Sequence, residues 1–516
     1  MPRTRTAVFI VPLALLATAP ALADEIGFEE LVARLGGAVP TGSNVTVSHV
    51  EAPEATGGYG PDTTQGYFAG KTFSMMNGTL AASAHATEVG RNWYGIGGNS
   101  IAPGLTRIWV YNANGWAQGS FLRVAQGAIA PLAMPASNNK IVNCSWIGAF
   151  GAPYDNEAIR RADFAMNRDG TLFVVGQNNG AGSASYPLMS GAYNGLAVGL
   201  STGQHSVGVP VGTDGAARMK PEIVAPGSFT SFATPVVSAA AALLYDVAYT
   251  LPFSQNVNRL ASTTVKAALM AGAVHGPAWT NQAPSSGASR GITAKPIDPV
   301  FGAGTVNIDR AHRIFTANEG FGASTSAGAT TAQSLVGWDF EVATLGYARW
   351  YRIDVPNTAD ASILLTWNRN PTIAQFSAGT EPGMPDLRLE LFRISIASGS
   401  PVAISGDAGA ATFAAGNCVS DSAQDNFEHL YLKGLAAGSY LLAVTRNDAV
   451  NIASSATLAW MVEPQAILGD LNGDWLVNGA DLGIMLGNWG LPGITDLDNN
   501  GTTNGADLGI LLGAWR

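Results

Sequence analysis

At 516 residues, 47% hydrophobic and only 12% charged, the chain has apolar material for more than one core and does not have the composition of a disordered protein. A formal net charge of −10 argues against nucleic acid or an anionic membrane surface as its partner. The two cysteines, Cys144 and Cys418, fall in different predicted domains, so no structural disulfide is expected.

In chain order, Arg3 and Arg5 precede an apolar run from Ala7 to Ala17, and Ala21-Leu22-Ala23 is a small-x-small cleavage pattern. Residues 1–23 therefore read as a secretory signal peptide, with a secreted or cell-surface chain from Asp24. No second apolar run reaches the roughly 18 residues of a membrane span, so none is expected. GSNVTVSHVEAPEA (42–55) alternates and stops at an acid, a strand ending at Glu51. TRIWVYNA (106–113) and KIVNCSWIG (140–148) read as buried parallel strands, the second carrying Cys144 as a small buried hydrophobe. NEAIRRADFAMN (156–167) has helical spacing and a stop at Gly170. GTLFVVGQNNGAGS (170–183) is a strand running into an Asn/Gly turn.

KPEIVAPG (220–227) predicts a short strand entering a turn at Pro226 and Gly227. Ser231 follows the turn, at the head of VVSAAAALLYDVAY, which is apolar on all sides and reads as a buried central helix with Pro235 in its first turn. A hydroxyl there meets the positive end of a helix dipole, which suits a nucleophile. Strands alternating with helices imply a mostly parallel sheet covered by helices, with active residues at the C-terminal ends of its strands.

Residues 317–335 are a Gly/Ser/Thr/Ala linker. From 336 to 465, short alternating runs (ARWYRIDV, ASILLTW, LRLELFRI, EHLYLKG and SYLLAV) separated by turn clusters predict an antiparallel β-sandwich. The tail, 466–516, is a tandem repeat: Asp470 recurs as Asp496, Asp481 as Asp507 and Trp489 as Trp515, an offset of 496 − 470 = 26. Each copy places oxygen side chains at loop positions 1, 3, 5, 9 and 12, the spacing of an EF-hand calcium loop. These are Asp470, Asn472, Asp474, Asn478 and Asp481, then Asp496, Asp498, Asn500, Asn504 and Asp507. Position 7 would contribute a backbone carbonyl, from Leu476 or Thr502. Calcium is the cofactor expected, and each loop leads into one short helix.

TSFATPVVS with KPEIVAPG upstream resembles the nucleophile region of the subtilisin-like serine peptidases. Four further segments resemble that family's motifs in unbroken order over residues 40–316: the strand ending at Glu51, SAHATEVG followed by IAPG (83–104), GQNNG, and the closing TVKAALMAGAVHG and VFGAGTVNIDRAHRIF. The resemblance implies Ser231 as nucleophile, His85 as its base, Glu51 in place of the usual aspartate and Asn178 as oxyanion donor. Asn179 is the alternative to Asn178, and Glu54 and Asp62 are alternatives to Glu51. Acid, then His, then Ser is the subtilisin chain order. The sequence departs from the family at Glu51, at Phe229 where Gly is usual, in a short linker before the serine, and in having no room for a long propeptide. The sandwich is similar to accessory domains appended after secreted bacterial peptidases, and the tail resembles a type I dockerin, which implies a cohesin-bearing partner. The expected molecule is thus a secreted endopeptidase cleaving protein or peptide substrates: an α/β subtilisin-like domain (24–316), a sandwich and a small EF-hand-like dockerin. The alternative is a catalytically inactive scaffold of the same fold, acting as a binding or assembly module.

Overall fold

The computed structural model describes residues 24–79, 81–473 and 476–515; the expected signal peptide, 1–23, lies outside them. Seven strands build one sheet: β1 (Thr46–Glu51), β2 (Thr72–Asn77), β3 (Arg107–Asn112), β4 (Asn139–Cys144), β5 (Leu172–Gly176), β6 (Leu196–Leu200) and β7 (Ile223–Ala225). Their order is β2-β3-β1-β4-β5-β6-β7, and every pairing is parallel. β1 and β4 to β7 are buried along their whole length, because helices cover both faces.

The longer helices of this part are α1 (Phe28–Leu35), α2 (Ala84–Tyr94), α3 (Tyr154–Asp169), α4 (Thr230–Thr250), α5 (Ser262–Ala271) and α6 (Ile308–Thr316). α2 and α4 pack on one face, against Val47, Ile108, Ile141 and Val174; α3 packs on the other, against Val142, Phe173 and Val175. Gly170 ends α3 in the left-handed conformation, φ 60°, as the sequence predicts.

α4 is long and apolar enough to cross a membrane by length and composition, yet it is buried inside the fold. Two details of its start differ from expectation. The helix begins at Thr230, so Ser231 lies inside the first turn rather than ahead of it, and Pro235 falls in the second turn. The early start follows from Asn179, whose Oδ1 accepts the Thr230 N–H at 2.8 Å and so caps the helix from another loop. Pro235 has no N–H for the Ser231 carbonyl four residues back. That carbonyl instead accepts the Ser145 hydroxyl, at 2.9 Å, from the segment just past β4.

The sandwich begins earlier than expected and is not a detached unit. Strands β8 (Ile292–Thr293), β9 (Ala332–Gln333), β10 (Val336–Ala343), β11 (Ala348–Val355), β12 (Ala359–Trp367), β13 (Leu387–Ile394), β14 (Pro401–Ala403), β15 (Ala415–Gly416), β16 (Val419–Ser420), β17 (Phe427–Leu435), β18 (Gly438–Arg446) and β19 (Ser454–Pro464) form two sheets. One runs β10-β19-β12-β17-β15; the other runs β8-β16-β13-β18-β11-β9, with β14 beside β13. The expected linker, 317–335, is tied down instead. Ala323 exchanges backbone hydrogen bonds with Trp350, Gly320 bonds to Trp338, and β9 pairs with β11. β8, from the segment assigned to the preceding domain, pairs with β16.

α5 packs on β12 and β19, so Leu364, Phe427, Ala459 and Met461 of the sandwich share one apolar core with the helical face of the parallel sheet. On the other side Arg369 reaches across to Asp163 of α3 (2.6 Å) and to Asp214 (2.8 Å), all three buried. The two cysteines are free and buried.

The tail forms two short helices, α7 (Gly479–Gly487) and α8 (Gly505–Gly513), around a small core of Val477, Met485 and Leu511.

Candidate functional site

β1 ends where its sheet ends, and its last residue, Glu51, points under α2. Residues two apart on a strand share a face, so His49 and Glu51 stand side by side. Both are wholly buried. Glu51 Oε2 lies 3.3 Å from His85 Nδ1 and 3.4 Å from His49 Nε2, so one carboxylate oxygen stands between two imidazoles. Oε1 accepts the Ala52 N–H at 3.1 Å. The Tyr94 hydroxyl lies 2.9 Å from His49 Nδ1.

α2 carries His85 in its first turn because Ser83 caps it: the Ser83 hydroxyl accepts the Ala86 N–H at 3.0 Å. Glu54 completes the cap, accepting the Ser83 hydroxyl at 2.7 Å and the His85 N–H at 3.2 Å. Asp62 accepts from Thr64 and Gln65. Of the three acidic candidates, Glu51 is the one in contact with the imidazole. Burial alone would push the Glu51 carboxyl up, but the fields and hydrogen bonds of His85 and His49 outweigh it and hold it below the usual carboxylate range. Burial likewise works against the His85 cation, and the Glu51 charge overcomes it, leaving His85 above its ordinary value.

His85 and Ser231 line one cleft of about 200 Å³, together with Ser145, Trp146, Ile147, Asn178 and Asn179. His85 Nε2 has no hydrogen-bond partner among the described residues, and Nδ1 has none beyond its long 3.3 Å contact with Glu51 Oε2. The Phe232 ring lies 5.8 Å from the His85 ring and packs edge-on against Phe229, two residues before the serine. The two asparagines of the GQNNG turn are held differently. Asn178 Nδ2 donates to the Ala184 carbonyl at 2.9 Å. Asn179 Oδ1 accepts the Thr230 N–H and, at 3.0 Å, the Thr230 hydroxyl, which turns its NH₂ end away from Thr230.

Behind the cleft, Asn143 Nδ2 donates to Ser145 Oγ at 2.9 Å, and Ser238 of α4 donates to Asn143 Oδ1 at 2.8 Å. The carbonyl of Ser231 is thus tied through Ser145 and Asn143 to its own helix two turns on. Sequence reading missed His49, Tyr94 and this serine–asparagine chain. The SHVE spacing was the one available signal, since it sets His49 on the face of Glu51. The KPE of KPEIVAPG is structural: Glu222 is buried against Lys220 and, at 3.3 Å, Lys266.

In the tail the two loops repeat one geometry. Asp481 Oδ1 accepts the Leu471 and Asn472 N–H groups and Oδ2 accepts that of Asn478; Asp507 does the same with Leu497, Asp498 and Asn504. Asn478 and Asn504 cap their helices in matching capping boxes. Asp496 accepts the N–H groups of Asn500 and Gly501, which wraps the second loop around it. Carboxylate oxygens of Asp496, Asp498 and Asp507 come within 4.8 Å of one another. Such a set of hard oxygens is of the kind that fits calcium. In the first loop, Asp474 lies outside the described residues.

No protein-family model matches this sequence, and no curated protein matches it. Solved structures similar in fold include fervidolysin from Fervidobacterium pennivorans, described as a keratinolytic enzyme related to subtilisin (15% identity, TM-score 0.38, 71% of this chain and 56% of that one). This chain thus spans little more than half of fervidolysin. Others are the epidermin leader peptide processing serine protease of Staphylococcus aureus (14%, TM-score 0.38, 60% and 84%) and a protease of Pseudoalteromonas arctica (15%, TM-score 0.35, 57% and 97%).

Proposed function

We propose that this chain is a secreted serine endopeptidase of the subtilisin-like class, tethered through a calcium-binding, dockerin-like tail. One observation carries the peptidase reading. A buried carboxylate touches an imidazole, and that imidazole and a serine in the first turn of a helix line one cleft at the C-terminal edge of one parallel sheet, the three coming from separate elements.

In this reading Ser231 Oγ attacks the scissile carbonyl carbon while His85 Nε2 takes its proton. Glu51 accepts the Nδ1–H, fixes the tautomer and stabilises the imidazolium without itself becoming protonated. The carbonyl oxygen takes the electron pair and is held by the Ser231 N–H and one carboxamide. Asn179 suits that second role better than Asn178, because its oxygen is already anchored beside the nucleophile, while the Asn178 NH₂ is engaged by Ala184. Collapse of the tetrahedral intermediate breaks the C–N bond, and His85 gives its proton to the leaving amine. Water then hydrolyses the acyl-enzyme by the same proton route in reverse. An extended peptide along Ser145–Ile147 would bind by main-chain hydrogen bonds with little sequence preference.

In the tail, Asp496, Asp498, Asn500, the Thr502 carbonyl and Asp507 would hold one calcium ion, with Asn504 at the ninth position. Asp470, Asn472, Asp474, the Leu476 carbonyl, Asn478 and Asp481 would hold the other. Calcium bound there supplies a structural cross-link, and the paired loops and helices would present a surface to a cohesin-bearing partner.

A fluorophosphonate probe tests the peptidase reading. Labelling of the full chain that disappears in Ser231→Ala is the expected result; equal absence of labelling in both would overturn it. The inert-scaffold reading draws on His85 Nε2, which has no hydrogen-bond partner among the described residues, and the same experiment separates the two.

A further inference from the structure

Among the buried titratable side chains that the peptidase reading does not use, His49 is the one set against its machinery. It is fully inaccessible and lies beside the carboxylate on which that reading depends. Its ring packs edge-on against Trp93 and Tyr94, with centroids 5.9 and 6.0 Å away. An apolar side chain would satisfy those ring contacts, so packing alone does not call for an imidazole. What the imidazole adds is a pair of polar contacts, Nε2 to Glu51 Oε2 at 3.4 Å and Nδ1 to the Tyr94 hydroxyl at 2.9 Å.

We propose that His49 is a positioning residue for Glu51. The Tyr94 hydroxyl donates to His49 Nδ1, which fixes the tautomer that carries its hydrogen on Nε2. That N–H is then directed at Glu51 Oε2, the same oxygen that faces His85. A neutral imidazole has one donor nitrogen and one acceptor nitrogen, so the tyrosine decides which nitrogen faces the carboxylate.

The need for such a holder follows from Glu51 itself. A glutamate reaches the same place as an aspartate through one more rotatable bond, so its carboxylate has more orientations to lose. It is also stripped of water, and a buried carboxylate demands donors on both oxygens. Oε1 has the Ala52 N–H and Oε2 has His49 in addition to His85. Two imidazoles on one oxygen constrain it from two directions, which a single contact to His85 would not do. The order of contacts is Tyr94, His49, Glu51, His85, and it starts and ends on α2, with β1 between.

This inference rests on the peptidase reading, and the experiment keeps the two apart. His49→Phe retains the ring packing and removes both polar contacts. The expected result is a loss of kcat on the order of 10²-fold with KM little changed, the scale of a misplaced catalytic group. His49→Gln, whose amide NH₂ can take the place of Nε2–H, should recover kcat to within about tenfold of wild type. In a Glu51→Gln background, His49→Phe should cost nothing further, because the two act as a unit. The proposal is overturned if folded His49→Phe keeps wild-type kcat, if His49→Gln is no better than His49→Phe, or if the loss is undiminished in the Glu51→Gln background. Should His49→Phe fail to fold, Tyr94→Phe decides: a several-fold fall in kcat supports the relay, and an unchanged kcat overturns it. A wild-type chain as unreactive to the fluorophosphonate as Ser231→Ala would instead remove the peptidase reading, and this proposal with it.

Discussion

Glu51 and Asp507 are both inaccessible carboxylates, and they are held in opposite ways. Asp507 is held by backbone N–H groups within its own loop, from Leu497, Asp498 and Asn504. Glu51 has one local backbone donor, the Ala52 N–H on Oε1, but its other oxygen is held by side chains, one two residues back and one on a helix brought over by the fold. A carboxylate fixed by local backbone keeps its geometry as long as the loop keeps its turn, and its neighbouring acids remain available to a cation. A carboxylate fixed by distant side chains has a defined state only once the whole domain is assembled. Local design suits a module copied in tandem; tertiary design suits a site that needs one exact charge in a dry place.

The comparison can be broken most severely at Glu51. Glu51→Gln should lower kcat on the order of 10⁴-fold, the scale seen when a triad acid is made neutral, while the protein stays folded; steady-state kinetics on a peptide substrate would check it. A second tertiary carboxylate sharpens the contrast. Asp163 depends on Arg369 from the sandwich, and Arg369→Met leaves it buried without its cation, which should cost about 3–5 kcal/mol in denaturant unfolding.

On the local side, Asp507→Ala should remove one of two calcium ions counted by titration calorimetry and leave peptide hydrolysis by the full chain unchanged. Loss of hydrolysis together with calcium would show the two sites to be coupled. The smallest effect is on pH. His85 must be neutral to act as base, and Glu51 holds it above its ordinary value, so kcat/KM should rise through a midpoint above about 6.5. A midpoint below that value would mean that the Glu51 charge does not reach the imidazole.

The same division explains what could be read from the sequence. In the tail the repeat itself was legible, because two copies of one spacing give two loops and helices of matching geometry. Most sandwich strands matched their alternating runs within about two residues, as expected for boundaries. The strand ending at Glu51 and the buried helix after Ser231 were legible from periodicity. Three things were not. The start of α4 depends on Asn179, far away in sequence, so the helix begins before the serine. The Gly/Ser/Thr-rich stretch 317–335 has linker composition, but its backbone finds partners in Trp338, Trp350 and β11. The different holds on Asn178 and Asn179 come from Ala184 and Thr230, which no local pattern reveals.

The seam between α5 and the sandwich has a consequence for how the chain comes into being. Leu364, Phe427, Ala459 and Met461 complete the apolar layer that α5 begins, and Ser362 donates to the last carbonyl of that helix, Ala271, at 2.8 Å. A polypeptide emerging from its amino end therefore finishes every strand of the parallel sheet while one greasy flank still stands open. That flank closes only when β19 arrives. Completion of the half that carries the candidate site is in this sense timed by the half that follows it, and a gene cut after residue 316 would yield a fragment with that apolar flank exposed.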